Sequence, residues 1–364
     1  MIIQIQPWID DSELLELKKV IDSTFVTESS ATELFENMTI DYTGAKYAIS
    51  VSNGTVGLFC ALSALNIGAG DEVIVPNLTF IATSNSVIWA GAKPVFCEVR
   101  KDTLCIDEDR IEDLISHRTK AIMPVNLYGN SPDMDRIKKI SKKYNLKIIE
   151  DAAQGVGVHY KKKHVGAIGD IGVLSYYGNK TITTGEGGMI LTNDKNLARI
   201  CFRLKNHGRD KKGTFVHQHI GFNFSFTDIQ AAIGISQMKK LEKIIEKKKN
   251  IFEIYFQELK KIEELNFYKI KGQEGPVYWF SSVYLKRSKI LMDFLHKRGI
   301  QTRRFFYPLH LQPCYQSSNF NFDKTKFKIS EEIYDSSLSL PSSYILKESE
   351  QEKVIENIKS FFKC

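Results

Sequence analysis

The sequence predicts an α/β fold, with a large domain built on a mostly parallel sheet and a smaller C-terminal α/β domain. Two observations lead to this prediction. Short runs of β-branched and aliphatic residues alternate with helical segments over the first two-thirds of the chain. The chain has 364 residues, long for one compact domain, and 43% of them are hydrophobic, which is enough for a sizeable core.

The alternating segments follow one another in a regular order. The predicted strands are "YAISVS", "DEVIVP", "PVFCEV", "KAIMPVNLY", "LKIIEDAA", "GVLSYYG" and "GMILTND". Apolar residues at helical spacing predict helices at 55–65, 81–90, 108–116 and 134–144. Such alternation is typical of parallel strands with helices on both faces of the sheet. No helix separates the last two strands, so we expect an antiparallel pair or a change in strand order there.

The pattern changes at Thr227, where a long helix rich in Lys and Glu begins. The remaining third mixes helices with short aromatic strands such as "YWFSSVYL". We therefore predict a large domain over residues 1–240 and a small domain over residues 241–364. The N-terminal arm is expected to join the small domain.

Composition narrows the class of protein. The net charge of +7 is spread along the chain. Its densest basic run, "KKLEKIIEKKK", has helical spacing and no interleaved aromatic residues, so we expect a solvated helix face and no nucleic-acid partner. No apolar run is long enough to cross a bilayer and no signal peptide is recognisable, which predicts a cytoplasmic protein. The six scattered cysteines predict free thiols.

Functional hypotheses come from the residues that follow each strand, because ligands of open parallel sheets bind beyond the carboxyl ends of the strands. "SNGT" (Ser52–Thr55) ends a strand and opens a helix. Gly54 and the first helical N–H groups suit a phosphate, and a plain capped turn is the alternative. Phe80 follows the second strand and either stacks on a planar ring or packs in the core.

Charged and polar groups follow the later strands. Asp151 ends a buried strand and needs a partner, either a structural one or the protonated nitrogen of a ligand ring. Gln154 can present its amide to the same ligand, and Ser175 can bind a phosphate. Lys180 lies in "GNKTITTGEGG", where burial would lower its pKa and make the amine nucleophilic. Together these groups meet the needs of pyridoxal 5'-phosphate (PLP), which requires a Schiff-base lysine and a carboxylate at the ring nitrogen.

The chain also resembles a known family. The segments "SNGTVGL", "GDEVIVPNLTFIAT", "IIEDAAQGVG", "GDIGVLSYYGNKTITTGEGGMILTND", "GFNFSFTDIQAAIG" and "FFYPLH" are similar, in the same order, to the PLP-dependent sugar aminotransferases of the DegT/DnrJ/EryC1/StrS type. "GNKTITTGEGG" looks most like the GDP-perosamine synthase branch, which aminates C4 of a GDP-linked 4-keto-6-deoxy sugar. The resemblance implies the type I aspartate aminotransferase fold and a homodimer with active sites at the subunit interface.

The resemblance also implies roles for single residues. Lys180 would form the Schiff base, Asp151 would pair with the pyridine nitrogen and Phe80 would stack on the ring. The other implied cofactor contacts come from Gly54, Thr55, Gln154, Ser175 and, from the partner subunit, Asn223.

Substrate contacts are expected where the chain departs from the family. The family often has Arg in place of Ser225, and often has Arg-Pro where this chain reads "TRRFFYPLH". The expected substrate residues are His207, Arg303, Arg304, Tyr307 and His310. His217 and His219 would share a strand face, but no third ligand is visible in the sequence, so we expect no metal.

The predicted reaction moves an amino group from L-glutamate to the keto carbon of a nucleotide-linked 4-keto-6-deoxy sugar, for polysaccharide or glycan biosynthesis. The first alternative keeps the chemistry on another keto substrate, either a 3-keto sugar nucleotide or a small phosphorylated ketone such as dihydroxyacetone phosphate. The second alternative is a non-catalytic sensor that binds the cofactor or a sugar. The presence of Lys180, Asp151 and Gln154 argues against the sensor.

Overall fold

A computed structural model describes residues 1–211, 213–268, 270, 276–316 and 327–363. Its strands are β1 (Tyr47–Val51), β2 (Glu72–Pro76), β3 (Lys93–Cys97), β4 (Thr119–Ile122), β5 (Lys147–Asp151), β6 (His159–Tyr160), β7 (Lys163–His164), β8 (Ile171–Ser175), β9 (Gly188–Thr192), β10 (Asn266–Phe267), β11 (Ser281–Tyr284) and β12 (Ser337–Leu340). Its helices are α1 (Asp11–Ser23), α2 (Ser30–Thr43), α3 (Gly54–Ala64), α4 (Ala82–Trp89), α5 (Met134–Tyr144), α6 (Lys195–Lys205), α7 (Asp228–Leu259), α8 (Ser288–His296), α9 (Pro313–Gln316), α10 (Lys328–Ser336) and α11 (Glu348–Lys363).

A seven-stranded sheet in the order β1-β9-β8-β5-β4-β2-β3 forms the centre of the molecule. Only β9 runs against its neighbours, since it pairs antiparallel with both β1 and β8. The predicted parallel sheet and the predicted antiparallel pair are both confirmed. Gly188 of β9 pairs with Val51 and with Ser175. A Cβ atom on Gly188 would lie 2.7 Å from the backbone of Asn53, so this close approach requires glycine.

Both faces of the sheet are buried, as parallel strands require. Along β2, Ile74 belongs to one hydrophobic cluster, while Val73 and Val75 belong to another. The first cluster includes residues of α2, α5 and α7, and the second includes residues of α3, α4 and α6. The helices therefore cover the sheet from both sides.

The predicted helices agree with the structure except at one site. Helices α3, α4 and α5 lie where the apolar spacing places them. The predicted helix at 108–116 is wrong, because the structure has two single 3₁₀ turns there, at Glu108–Arg110 and Glu112–Leu114. Ile111 and Leu114 are three residues apart, a spacing that fits a 3₁₀ turn as well as an α-helix. Glu108 turns inward and accepts a hydrogen bond from the backbone N–H of Asp133 at 2.6 Å.

Helix α7 crosses the boundary predicted at residue 240 without a break. Ala231 and Ile235 near its start pack in a cluster of the large domain, whereas Ile251 and Tyr255 near its end pack in the small one. The helix is therefore shared by both units, and its packing partners change after residue 245. The division at residue 240 stays a prediction.

The small unit holds the three-stranded sheet β10-β11-β12, whose neighbours are all antiparallel. The N-terminal arm contacts this unit. The N–H of Ile2 donates to the carbonyl of Gly299 at 2.7 Å, and the N–H of Ser342 donates to the carbonyl of Gln4 at 2.9 Å. The arm therefore ties the first residues of the chain to the last third.

Two further findings concern the whole described chain. In it, no helix combines the length and the apolar character that a membrane crossing requires. The free cysteines are Cys60, Cys97, Cys105, Cys201 and Cys314, of which the first four are buried. Free thiols were predicted at these five positions, and Cys364 lies outside the described residues.

Helix α2 is fastened by a carboxylate from α7. The side chain of Asp228 accepts hydrogen bonds from the N–H groups of Ser29, Ala31 and Thr32 and from the Thr32 hydroxyl, at 2.6 to 3.1 Å. Further along, a Cβ atom on Gly234 would meet the Phe35 ring at 2.7 Å. The two helices therefore meet at close range at two points.

We expect Asp228→Ala to lower the free energy of unfolding by about 3 kcal/mol, because it leaves several N–H donors without acceptors. Urea denaturation followed by circular dichroism measures this loss. Asp22→Ala is the control, since Asp22 forms an exposed pair with Lys18 on α1, and its removal should leave stability unchanged. Equal effects of the two substitutions would contradict this account of α2.

Candidate active site

The loop between β8 and β9 carries Lys180. Its backbone is held by hydrogen bonds from the N–H of Lys180 to the carbonyl of Tyr177 and from the N–H of Thr184 to the carbonyl of Tyr176, both 2.9 Å. The Thr183 hydroxyl donates to the same Tyr176 carbonyl at 3.0 Å. These bonds curl the loop over the carboxyl end of the sheet and fix the position of Lys180.

The side-chain amine of Lys180 has a lowered pKa. Burial lowers the pKa of Lys180 to about 8, with a smaller lowering from Arg303 and a partial compensation by the carboxylate of Asp151. The Nζ atom lies 4.6 Å from the centre of the Trp279 ring. At pH 7 to 8, a lysine with this pKa has a larger fraction of neutral, nucleophilic amine than an ordinary lysine.

Asp151 ends β5, the strand that pairs with β8. Its carboxylate is buried, accepting a hydrogen bond from the Thr83 hydroxyl at 2.6 Å and one from the N–H of Ala153 at 3.2 Å. Burial raises the pKa of Asp151, while these hydrogen bonds and the charge of Lys180 lower it in part. The protein therefore compensates this carboxylate incompletely, and a cationic N–H group would complete the compensation.

The turn from β1 into α3 exposes backbone donors. The Asn53 side chain accepts from the N–H of Val56 at 3.0 Å and caps the helix. The N–H groups of Gly54 and Thr55 make no hydrogen bond within the described residues. A Cβ atom on Gly54 would lie 3.1 Å from Cβ of Ser175. The structure thus places Gly54, Thr55 and Ser175 together, at a helix N-terminus that suits an anion.

Gln154 and Phe80 lie near the same edge of the sheet. The side-chain oxygen of Gln154 accepts from the N–H of Tyr128 at 2.8 Å, which leaves its amide nitrogen without a hydrogen bond in the described part of the chain. The Phe80 ring is 54% exposed and lies 5.9 Å from the Phe306 ring. A core role for Phe80 is therefore excluded, and its ring is available to a planar ligand.

The two arginines of "TRRFFYPLH" face different surroundings. Arg303 is exposed, makes no side-chain hydrogen bond or ion pair among the described residues, and acts electrostatically on both Lys180 and Tyr128. Arg304 donates to the Tyr334 carbonyl and to Asp335, both at 3.0 Å, with its guanidinium 4.0 Å from the Tyr334 ring centre. The structure therefore brings Arg303 to the candidate site and gives Arg304 a structural role away from it.

Other predicted substrate residues also separate. His310 is fully buried, contacts Asn77 and Glu331 through its two ring nitrogens, and is not open to a substrate. Tyr307 is partly exposed beside Tyr334. His207 is exposed, and its carbonyl accepts from the ring of His217 at 2.7 Å. The structure therefore closes His310 to a substrate and leaves Tyr307 and His207 accessible to one.

Asn223 and Ser225 lie on the surface of the isolated chain. The Asn223 side-chain oxygen accepts from the N–H of Ser225 at 3.4 Å, and Asn223 itself is exposed. The carbonyl of the intervening Phe224 accepts from the N–H of Ser52 at 3.0 Å, so this segment borders the β1–α3 turn. No group of three or more His, Cys, Asp or Glu side chains that could hold a metal occurs among the described residues.

With this geometry established, comparison with known proteins identifies the family. The model of the DegT/DnrJ/EryC1/StrS aminotransferase family matches residues 7–359. The chain belongs to this family. It is a PLP-dependent aminotransferase with the α/β fold of these enzymes.

Relatives match over nearly the whole chain. GDP-perosamine synthase of Vibrio cholerae is 35% identical, covering 99% of this chain and 98% of the relative. GDP-perosamine synthase of Caulobacter vibrioides is 38% identical, covering 96% and 95%. Among solved structures, S. venezuelae DesV in complex with a ketimine intermediate superposes with a TM-score of 0.92 at 28% identity, covering all of both chains. Helicobacter pylori PseC, an aminotransferase in pseudoaminic acid biosynthesis, also gives 0.92, at 27% identity and covering 100% and 99%.

The residues of this site fit PLP. The site offers an amine of lowered pKa, an undercompensated buried carboxylate and two unpaired N–H groups beside a serine hydroxyl. The side-chain nitrogen of Asn126 is also buried without a partner among the described residues, and its backbone N–H donates to the carbonyl of Asp151. A ligand with a cationic ring nitrogen, a phosphate and polar ring substituents matches this set of groups.

Sequence reasoning missed four residues of this region: Thr83, Asn126, Tyr128 and Trp279. Thr83 lies one turn after Phe80, which is the sole hint of its contact with Asp151. Tyr128 has a left-handed backbone with φ 53°, which the sequence gives no reason to expect. Trp279 lies about 100 residues from Lys180 along the chain, so no local pattern connects the two.

The lowered pKa of Lys180 predicts a pH-dependent stability for the apoprotein. Because the folded-state pKa is about 8 and the ordinary value is 10.5, the unfolded chain binds more protons between these values. Wild-type stability should therefore rise with pH across this window. Lys180→Met removes the half-buried ammonium and should raise the free energy of unfolding at pH 7 by about 1–2 kcal/mol, a figure reduced for partial solvent exposure.

Urea denaturation of both apoproteins between pH 7 and 10.5 measures the difference, which should shrink as pH rises. Lys120→Met, at an exposed position of β4, is the matched control and should show no such trend. A pH-independent difference between wild type and Lys180→Met would mean that the Lys180 pKa is not lowered.

Proposed function

We propose that this enzyme transfers an amino group from L-glutamate to C4 of a nucleotide-linked 4-keto-6-deoxy sugar. The observation that carries the proposal is the placement of Lys180 and Asp151 at one edge of the sheet in a chain of this family. The perosamine synthases that match it nearly end to end support the substrate class. Such a product is a building block for surface polysaccharides or other glycans.

In this proposal, Lys180 and Asp151 have separate chemical tasks. PLP, when bound, supplies an aldehyde that receives the amino group and a ring that accepts electrons. The Lys180 Nζ would hold this cofactor, and the freed amine would then take and return the proton at the reacting carbon. The Asp151 carboxylate, fixed by Thr83, keeps the proton on the ring nitrogen. Phe80 and Gln154 orient the ring, and Gly54, Thr55 and Ser175 bind its phosphate.

Arg303 is the residue that we assign to the anionic end of the substrate. Its guanidinium makes no ion pair within the described residues and lies near enough to Lys180 to lower the pKa of that lysine. A guanidinium binds phosphate oxygens in pairs, which suits the pyrophosphate of a sugar nucleotide. Tyr307 and His207 are exposed and are the other substrate contacts that we propose. Arg304 is no longer a candidate, because its guanidinium is bonded to the Tyr334 carbonyl and to Asp335.

We also propose that the active unit is a homodimer. Phe215, Val216 and Ile220 are 76% to 90% exposed in the isolated chain, which is unusual for a cluster of large apolar side chains. They precede Asn223, so a second subunit that covers them could receive Asn223 at its cofactor phosphate.

The free thiols of the described chain suit a cytoplasmic enzyme.

A substrate screen tests the proposed reaction. The pyridoxamine form should regain the absorbance of the PLP form when it meets a GDP-, UDP- or dTDP-linked 4-keto-6-deoxy sugar, and spectrophotometry records this. Recovery with dihydroxyacetone phosphate alone would reject the sugar nucleotide and keep the aminotransferase.

Paired arginine substitutions test the substrate end in the same assay. Arg303→Ala should raise KM for the sugar nucleotide about tenfold or more, because a charged hydrogen bond to phosphate is lost. The glutamate half-reaction should be unchanged. Arg304→Ala is the matched control and should reduce thermal stability without changing KM. An unchanged KM in Arg303→Ala would remove Arg303 from the substrate site.

Mixed dimers test the proposed contribution of Asn223. Lys180→Ala and Asn223→Ala subunits are each impaired, but a mixed dimer would have one site with both groups intact. An equal mixture should recover about a quarter of wild-type activity if subunits exchange randomly. A mixture of Lys180→Ala with Asp151→Ala is the control and should recover none, since both groups belong to the same subunit's site. Equal recovery in both mixtures would contradict the exchange of Asn223 between subunits.

A further inference from the structure

Trp279 contacts the Lys180 loop from the small unit. The indole N–H of Trp279 donates to the carbonyl of Asn179 at 2.8 Å, one residue before Lys180. The face of the same ring lies 4.6 Å from the Lys180 Nζ. One side chain therefore contacts both the backbone of the loop and the amine that the loop carries.

The position of Trp279 is itself fixed. Its side chain is 2% exposed and stacks on Phe280, with ring centres 4.0 Å apart. Its carbonyl accepts a hydrogen bond from the Nζ of Lys248 at 2.9 Å, and the same Nζ donates to the carbonyl of Ser342 at 3.1 Å. Lys248 is a buried residue of α7, the helix shared by the two units. Trp279 is thus held at its backbone and at its ring.

We infer that Trp279 is a positioning residue for Lys180. Its indole N–H anchors the loop through Asn179, and its ring face holds the free Lys180 amine in a defined position. The inference rests on the proposed role of Lys180. The enzyme needs such a position because the Lys180 amine is not bonded to the cofactor while the cofactor carries the amino group. An ammonium is attracted to the face of an aromatic ring, so the contact favours the protonated amine and opposes the effect of burial.

The charged groups that act on Lys180 in the described residues are Asp151 and Arg303. Asp151 favours the ammonium and Arg303 disfavours it. Neither contacts the indole, so a change at Trp279 leaves both in place. This separates the effect of the ring from the effect of the neighbouring charges.

Two substitutions separate the two contacts of Trp279. Trp279→Phe keeps a ring face and removes the N–H donor, while Trp279→Leu removes both. Tyr268→Leu is the matched control, because it removes a buried aromatic ring of the same cluster whose ring contacts are with Tyr284 and Phe305. All variants are prepared as full-length enzyme in the pyridoxamine phosphate form, in which the Lys180 amine is free.

Hydrogen–deuterium exchange of the loop peptide tests the anchor. Exchange across residues 178–185 should become several-fold faster in Trp279→Phe and in Trp279→Leu, and should stay as in wild type in Tyr268→Leu. Exchange in Trp279→Phe at the wild-type rate would overturn the anchoring role.

Competitive acetylation of Lys180, read by peptide mass spectrometry from pH 6 to 11, tests the ring contact. The midpoint of the labelling curve reports protonation and does not depend on how accessible the amine is. It should fall by about half a pH unit in Trp279→Leu and stay unchanged in Trp279→Phe and Tyr268→Leu. An unshifted midpoint in Trp279→Leu would overturn the ring contact.

Borohydride reduction of the PLP form, followed by peptide mapping, keeps this test separate from the proposed function. If the label falls on Lys180, the cofactor role holds and the outcome for Trp279 is decided by the two measurements above. If it falls on another lysine, the proposed role of Lys180 fails, and the inference about Trp279 fails with it.

Discussion

Two opposite charges at one edge of the central sheet, the buried Asp151 carboxylate and the half-buried Lys180 amine, impose the main constraint on this structure. A buried carboxylate or ammonium costs several kcal/mol unless its surroundings compensate it. Here the compensation is partial, since burial raises the pKa of Asp151 and lowers that of Lys180 even though each charge favours the other. The Thr83 hydroxyl and the N–H of Ala153 supply part of the remainder. The site is therefore prepared for a ligand that carries both charge and aromatic surface.

The strand order is what brings these two charges together. Asp151 ends β5, β8 pairs with β5 in parallel, and β9 returns antiparallel beside β8. The loop that joins β8 to β9 must consequently start at the same edge where β5 ends, and Lys180 lies in that loop. On the far side of β9, β1 ends opposite Gly188, which places the β1–α3 turn next to Ser175. A single antiparallel strand thus gathers the amine, the carboxylate and the anion site.

The small unit completes the site, because its aromatic side chains pack against Tyr128 of the large unit. This aromatic cluster consists of Tyr128, Tyr268, Trp279, Phe280 and Phe305. Tyr128 comes from the large unit and stacks on Phe305, with ring centres 4.2 Å apart. The left-handed backbone of Tyr128 lets its N–H donate to the Gln154 side chain while its ring packs in the aromatic cluster. Burial lowers the pKa of Lys248, which donates to the Trp279 carbonyl, to about 7. In the described chain, its Nζ bonds only backbone carbonyls. Packing between the units therefore reaches directly to the residues around Lys180.

The sequence alone predicts the parallel sheet and most of its helices, because the periods of strands and helices can be read from the order of apolar residues. It also predicts candidate roles for Lys180 and Asp151, because polar residues that follow apolar strands can be recognised in the same way. The 108–116 segment could not be predicted in the same way, since a spacing of three suits two kinds of helix. Only the tertiary structure decided that Arg303 faces Lys180 while Arg304 turns to Asp335, and that His310 is buried. Neighbouring side chains on an extended segment point to opposite sides, and which side meets the site depends on the packing of distant elements. The contact between Trp279 and the Lys180 loop is of the same kind, because it joins residues about 100 positions apart that only the docking of the small unit brings together.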